Sequence, residues 1–160
     1  MFEEFRGIPL HPLVVHAAVV FVPLLVLAAA VYAFVPRLRR WIGWAALLLA
    51  IAAPLATQLA TQSGEALKET LTAKGYPPEI LAQVAEHQRY GELTRSFTFG
   101  LGVSTLLLLL VTSGHPRVAR LPSWVRLLLI AAIVVFGVLS AVYVVLAGDT
   151  GSRAVWTGVT

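Results

Sequence analysis

Hydrophobic residues gather into four long runs, Gly7 to Pro36, Trp41 to Gly64, Ser96 to Pro116 and Leu127 to Gly148, and every charged residue lies outside them. Each run can supply the roughly 20 apolar residues that a helix needs to cross about 30 Å of hydrocarbon. The pattern therefore predicts an all-α, polytopic membrane protein with transmembrane helices at about residues 12–35, 41–62, 95–113 and 124–147, forming a single domain over 1–160. Val35-Pro36 should end the first helix, which Pro12 starts with His11 as its cap.

The polar stretch between the second and third runs keeps a helical period. Ala66, Leu67 and Leu71 stay on one side, Gly75-Tyr76-Pro77-Pro78 breaks the pattern, and Ile80, Val84, His87 and Gly91 resume it. Helices two and three are thus expected to extend beyond the bilayer as a helical hairpin over about 63–94. Small residues at four-residue spacing, Ala52, Ala56 and Ala60, then Ser96, Gly100 and Ser104, then Gly137 and Ala141, predict close helix contacts. Pro23 and Pro54 fall near mid-membrane, where each frees a carbonyl that a neighbour or water must satisfy.

Charge sets the orientation. The short joints 37–40 and 117–126 carry Arg37, Arg39, Arg40, Arg117, Arg120 and Arg126 with no acid, which places them in the cytoplasm. All eight acidic residues and the other basic ones then fall on the opposite side, with both termini and the hairpin. The expected location is a bacterial cytoplasmic membrane. Tryptophans 41, 44 and 124 suit the inner headgroup belt, and Trp156 the outer one.

Composition removes several classes of function. Hydrophobic residues make up 58% and charged residues 12%, with a mean hydropathy of +0.82, far from a soluble domain. The basic pI near 10.0 is explained by the cytoplasmic joints, so nucleic acid is not an expected partner, whereas the lipid bilayer is. The absence of cysteine excludes disulfides, thiolate nucleophiles, iron–sulfur ligation and covalent haem attachment. No His-Glu-x-x-His, Walker, Gly-x-Gly-x-x-Gly or Gly-x-Ser-x-Gly motif occurs, so the reading leans away from an enzyme and no catalytic residue is assigned. The acidic Met1-Phe2-Glu3-Glu4-Phe5-Arg6 and the long run behind it predict a first helix that is retained.

Candidate chemistry sits at the outer end. His11-Pro12-Leu13-Val14-Val15-His16 places one histidine at a helix entry and another about a turn deeper, in apolar surroundings where polar groups are costly. A five-residue separation turns regular helical positions about 140° apart, so chelation of one ion by this pair requires His11 to fold back. The alternative is a hydrogen-bonded, interfacial His16 with His11 as a polar cap. His87 lies on the apolar stripe of the third helix, and Asp149 follows the fourth run in Gly148-Asp149-Thr150-Gly151-Ser152-Arg153. There Asp149 either joins a site or caps a turn and pairs with Arg153. Gln58, Gln62, Glu65 and Glu92 are further polar groups at about this depth, whereas His115 stands at the inner end.

Pro9-Leu10-His11-Pro12-Leu13-Val14-Val15-His16, Ser63-Gly64-Glu65-Ala66-Leu67, Glu86-His87-x-x-x-Gly91-Glu92 and Gly148-Asp149-x-Gly151-x-Arg153-Ala154-Val155-Trp156 appear in that order. Together they resemble a bacterial four-helix membrane domain of unknown function. Relatives joined to Rieske-type or haem-bearing domains imply a redox setting. Relatives with His at the position of Asp149 imply a ligand there, where this chain has a carboxylate. Two functions follow as expectations. One is a non-enzymatic module whose outer-face site of His11, His16, His87 and Asp149 holds a transition metal or haem b. The other is an accessory or scaffold subunit with structural histidines, docked to a redox or other membrane partner; a homo-oligomer is compatible with both.

Overall fold

The computed structural model describes residues 4–5, 8–115 and 121–156, with side chains from 11–115 and 121–154. Arg6, Arg117, Arg120 and the Trp156 side chain lie outside these residues. Two short strands, β1 (Glu4–Phe5) and β2 (Ile8–Pro9), pair antiparallel ahead of four long helices. These are α1 (Leu10–Phe34), α2 (Arg39–Ala73), α3 (Pro78–Val111) and α4 (Ser123–Trp156), and each is long and apolar enough to cross a membrane.

Local chemistry explains where the helices stop. Val35 precedes Pro36, which opens a single 3-10 turn, Pro36–Leu38. The Arg39 guanidinium then donates to the last carbonyls of α1, with Nε to Tyr32 O at 2.9 Å and Nη2 to Ala33 O at 3.3 Å, where a cation suits the helix dipole. At the far end of α2, Gly75 takes φ +72°, Tyr76 N–H donates to Leu71 O and Gly75 N–H to Thr72 O. That is a Schellman stop, which needs a left-handed residue at the position glycine occupies. Pro78 restarts the chain at the first position of α3, where its missing N–H costs nothing. The expected hairpin is present, and Lys68 Nζ donates across it to Gln88 Oε1 at 2.8 Å.

The fourth helix departs from expectation. The Gly148–Gly151 segment is helix, and α4 continues to Trp156 rather than turning near Gly148. The glycines do not end the helix, and Leu146 and Ala147 also accept side-chain bonds from Thr150 Oγ1. The first helix starts at Leu10, which brings His11 into its first turn.

α1 packs on α2, α2 on α3, α3 on α4 and α4 on α1, leaving α1 and α3 diagonal. The exterior is apolar, with Val145 68% and Leu127 63% exposed. Such faces suit lipid, which gives helices no hydrophobic reason to associate, so close contact at small residues has to hold them together. On α2 the buried stripe is Ala46, Ala50, Ala53 and Ala56 rather than one running through Ala52 and Ala60. Gly102 of α3 lies directly against it: a Cβ there would meet Ala50 O at 2.7 Å and Pro54 Cγ at 2.9 Å. Pro54 has no N–H to offer Ala50, and glycine lets the α3 backbone cover the freed carbonyl.

The bundle also repeats itself. A shift of 76 residues carries Ala18, Val22, Leu25 and Ala29 of α1 onto Thr94, Thr98, Leu101 and Thr105 of α3, and all are buried. A shift of 87 carries Ala46, Ala53 and Thr57 of α2 onto Ile133, Ser140 and Val144 of α4, again all buried. The two helical hairpins thus present matching faces to a common centre. Gly102→Ala should destabilise the protein by about 1–3 kcal/mol, because neither backbone oxygen nor proline ring can yield. Gly43→Ala, where the nearest atom is Tyr32 Cε2 at 3.5 Å, should be nearly neutral in the same mixed-micelle unfolding measurement.

Candidate functional site

Two imidazoles meet at the hairpin end of the bundle, one from each diagonal helix. Their ring centres are 5.9 Å apart and their planes stand at 76°, edge to face. His11 Nδ1 lies 3.1 Å from Ala60 O and 3.1 Å from Ser63 Oγ on α2. His87 Nδ1 lies 2.9 Å from Ala147 O and 3.5 Å from Thr150 Oγ1 on α4. A carbonyl only accepts, so each Nδ1 carries the proton and donates it. The neutral ring then keeps its lone pair on Nε2. Among the described residues, no hydrogen bond reaches either Nε2.

Glycine makes these positions possible. A Cβ on Gly64 would come within 3.1 Å of His11 Cε1, and one on Gly151 within 2.9 Å of His87 Cε1. Each ring therefore lies flat against a bare stretch of helix backbone, fixed by a carbonyl four residues before the glycine and flanked by a hydroxyl one residue before it. The pattern is Ala60-x-x-Ser63-Gly64 on α2 and Ala147-x-x-Thr150-Gly151 on α4. The same shifts of 76 and 87 residues relate the two halves of the site, so the site shares the repeat of the bundle.

Of the four candidate ligands, the structure brings together His11 and His87 and leaves the other two outside. His16 is exposed, and its Nδ1 bonds to Pro12 O of its own helix. The five-residue spacing turns it away from His11 once α1 starts before both. Asp149 pairs with Arg153 at 2.9 Å, one turn along α4, with the side chains 47% and 73% exposed. It lines a groove of about 460 Å³ with Gln83, Glu86, Tyr90 and Thr150, to one side of the imidazoles. Among the described residues, no group of three or more His, Asp or Glu side chains is placed to hold a metal ion.

The other polar candidates are spread along the helices. Gln58 is half-buried, while Gln62 and Glu65 are exposed on α2. Glu92 accepts from Gln88 Nε2 at 3.0 Å. His115, exposed beyond α3, takes a Ser113 Oγ acceptor for its backbone N–H at 3.3 Å. Sequence reasoning missed Ala60, Ser63, Gly64, Ala147, Thr150 and Gly151 as the seats of the two rings. The signal was there in the duplicated Ala-x-x-Ser/Thr-Gly spacing, each copy one long helix away from its histidine.

The family model described as "Predicted membrane protein (DUF2231)" matches residues 7–160. The chain belongs to this family. The match takes in both histidines, both glycine seats and all four helices, so the arrangement above is that of a DUF2231 multi-pass membrane protein of unknown function. No curated protein and no solved structure matches the chain.

Gly151→Ala should push the His87 ring off the α4 backbone and break its bond to Ala147 O, at a cost of about 1–2 kcal/mol. Nitrogen-15 spectra of the histidine side chains should show the His87 Nδ1–H lost while that of His11 persists. Gly64→Ala should do the reverse.

Proposed function

We propose that the chain is a non-enzymatic membrane module whose His11 and His87 imidazoles together hold a metal ion at the outer face of a bacterial cytoplasmic membrane. One observation carries this reading. Both Nδ1 atoms are committed to backbone carbonyls, so two oriented rings with centres 5.9 Å apart each keep Nε2 for another partner, and a backbone-anchored Nδ1–H is how metal-ligating histidines are commonly held. With metal to nitrogen distances near 2.0–2.1 Å, two imidazoles on one ion have centres about 5 Å apart at a tetrahedral angle and about 6 Å apart when nearly opposite, a range that takes in the 5.9 Å of this pair. Haem b fits less well, because a porphyrin plane would have to enter where the rings already touch edge to face. The redox setting implied by the family resemblance is compatible with an imidazole-bound transition metal.

A second reading is favoured by the absence of a third ligand among the described residues. In it the histidines tie the helices together, and the hairpin, which exposes Glu69, Lys74, Glu79 and Arg89, docks a redox or other membrane partner. Elemental analysis and absorption spectroscopy of the purified protein separate the two. The first reading expects about one bound metal ion per chain, lost in His11→Ala and His87→Ala and kept in His16→Ala and His115→Ala. A colourless protein that stays metal-free after reconstitution would sink it. Co-purification of a partner in mild detergent, with the histidines dispensable for ligand content, would favour the second.

The arginine-rich joints support this orientation. Arg37, Arg39, Arg40 and Arg126 gather at the end opposite His11 and His87, together with exposed Trp41, Trp44 and Trp124, as expected for a cytoplasmic face. Both termini and the hairpin are assigned to the outside. An alkaline phosphatase fused after Thr160 should be active and a cysteine placed at Arg39 should resist external labelling; the opposite pattern would reverse the assignment.

A further inference from the structure

Charged and aromatic side chains meet along the α3–α4 seam, at the end of the bundle that carries His11 and His87. The groove of about 460 Å³ there is lined by Glu86 and Tyr90 of α3 and by Leu146, Asp149 and Arg153 of α4. The shifts of 76 and 87 residues that relate the two hairpins carry Glu86 and Tyr90 onto Leu10 and Val14, and Asp149 and Arg153 onto Gln62 and Ala66, all uncharged. The first hairpin builds the same packing without a charge at any of these positions, so the shared architecture does not call for one.

Depth orders these groups. His87 packs on Gly151, so its neighbour Glu86 lies about level with Ser152, and Asp149 lies three residues further toward the bilayer centre, roughly 4 Å along α4. The 2.9 Å ion pair draws the Arg153 guanidinium down to Asp149. A carboxylate thus stands at the rim and a guanidinium below it. Glu86 is exposed, and among the described residues no ion pair or hydrogen bond engages its carboxylate. Tyr90 supplies an aromatic wall, braced by Tyr143 at 6.2 Å, which in turn stacks on Phe97 at 5.3 Å. Below Asp149 the surface turns apolar: Val142 and Val138, seven and eleven residues earlier and so on the same stripe of α4, are exposed.

We propose that this groove binds the headgroup of a phospholipid that carries a primary ammonium, of the phosphatidylethanolamine kind. Such a headgroup places its ammonium outermost and its phosphate nearer the acyl chains, the order in which Glu86 and Arg153 offer their charges. The ammonium donates to the Glu86 carboxylate beside the face of Tyr90, where a cation is attracted to the ring. The guanidinium, with its planar fork of donors, suits the phosphate. Two carboxylates against one guanidinium leave the groove acidic, which favours a headgroup with an ammonium over a purely anionic one. A quaternary ammonium has no N–H to donate, so choline lipids lose the bond to Glu86. The exposed valines below give the acyl chains a surface that a soluble amine cannot use. The proposal stands apart from the metal reading, since it uses neither His11 nor His87.

The test is native mass spectrometry of the whole chain, released from mild detergent holding equal amounts of dioleoyl phosphatidylethanolamine, phosphatidylcholine and phosphatidylglycerol. Phosphatidylethanolamine should be retained about three- to tenfold more than either of the others. Glu86→Gln, at an exposed side chain with no bond to lose, should bring it down to the level of phosphatidylcholine. Glu69→Gln, in the separate groove between α2 and α3, should leave the preference intact. Phosphoethanolamine, the same headgroup without acyl chains, should fail to displace the lipid at equal concentration. Equal retention of phosphatidylethanolamine and phosphatidylcholine would overturn the proposal. So would a preference that survives Glu86→Gln, one lost equally in Glu69→Gln, or displacement by phosphoethanolamine.

Discussion

Lipid removes the force that assembles soluble helical bundles, and the rest of this structure depends on what replaces it. Apolar side chains gain nothing by leaving hydrocarbon for a neighbouring helix, so backbones must come close enough for dispersion and weak polar contacts to act. Alanines on α2 and Gly102 on α3 provide that approach. The Ala50 carbonyl, released by Pro54, lies in the same contact. A proline that would leave an exposed acceptor elsewhere in a bilayer is tolerated here because the neighbouring residue has no side chain.

The same device recurs with a different partner at the hairpin end. Glycine on α2 and α4 clears space for an aromatic ring instead of a backbone, and the carbonyl four residues earlier fixes the ring's orientation. Close approach therefore serves packing in one place and chemistry in the other. This economy explains why residues with little character of their own, such as Ala60 and Ala147, matter at the site through their backbones alone.

Much of the architecture was legible in the chain because hydrophobic runs and charge placement report directly on membrane crossing. Four spans, the break at Gly75 to Pro78 and the extension of α2 and α3 all follow from residues next to one another in sequence. The site was only partly legible. His11 and His87 stood out as polar groups on apolar stripes, and their meeting needed knowledge of which helices are diagonal. His16 could join them only if His11 folded back outside the helix; α1 starts at Leu10, two residues before Pro12, so His11 is itself helical and His16 points elsewhere. Asp149 looked like the end of a helix because two glycines flank it, yet α4 runs on through both of them to Trp156. The alanine stripe on α2 was misplaced for a related reason, since small residues are abundant there and only the partner helix selects among them.

Each histidine is tied to the helix that follows it in the chain, His11 to α2 and His87 to α4, whereas the two rings touch only across the diagonal. The order of assembly in the membrane follows from that division. Each helical hairpin can complete its own ring-to-backbone link soon after insertion, over a short loop and without the other hairpin. The ring-to-ring contact has no precursor within either hairpin and arises only when the halves dock. Whatever uses both imidazoles is thereby absent from an unassembled half, and the bundle gains that capacity in the last step of its own construction.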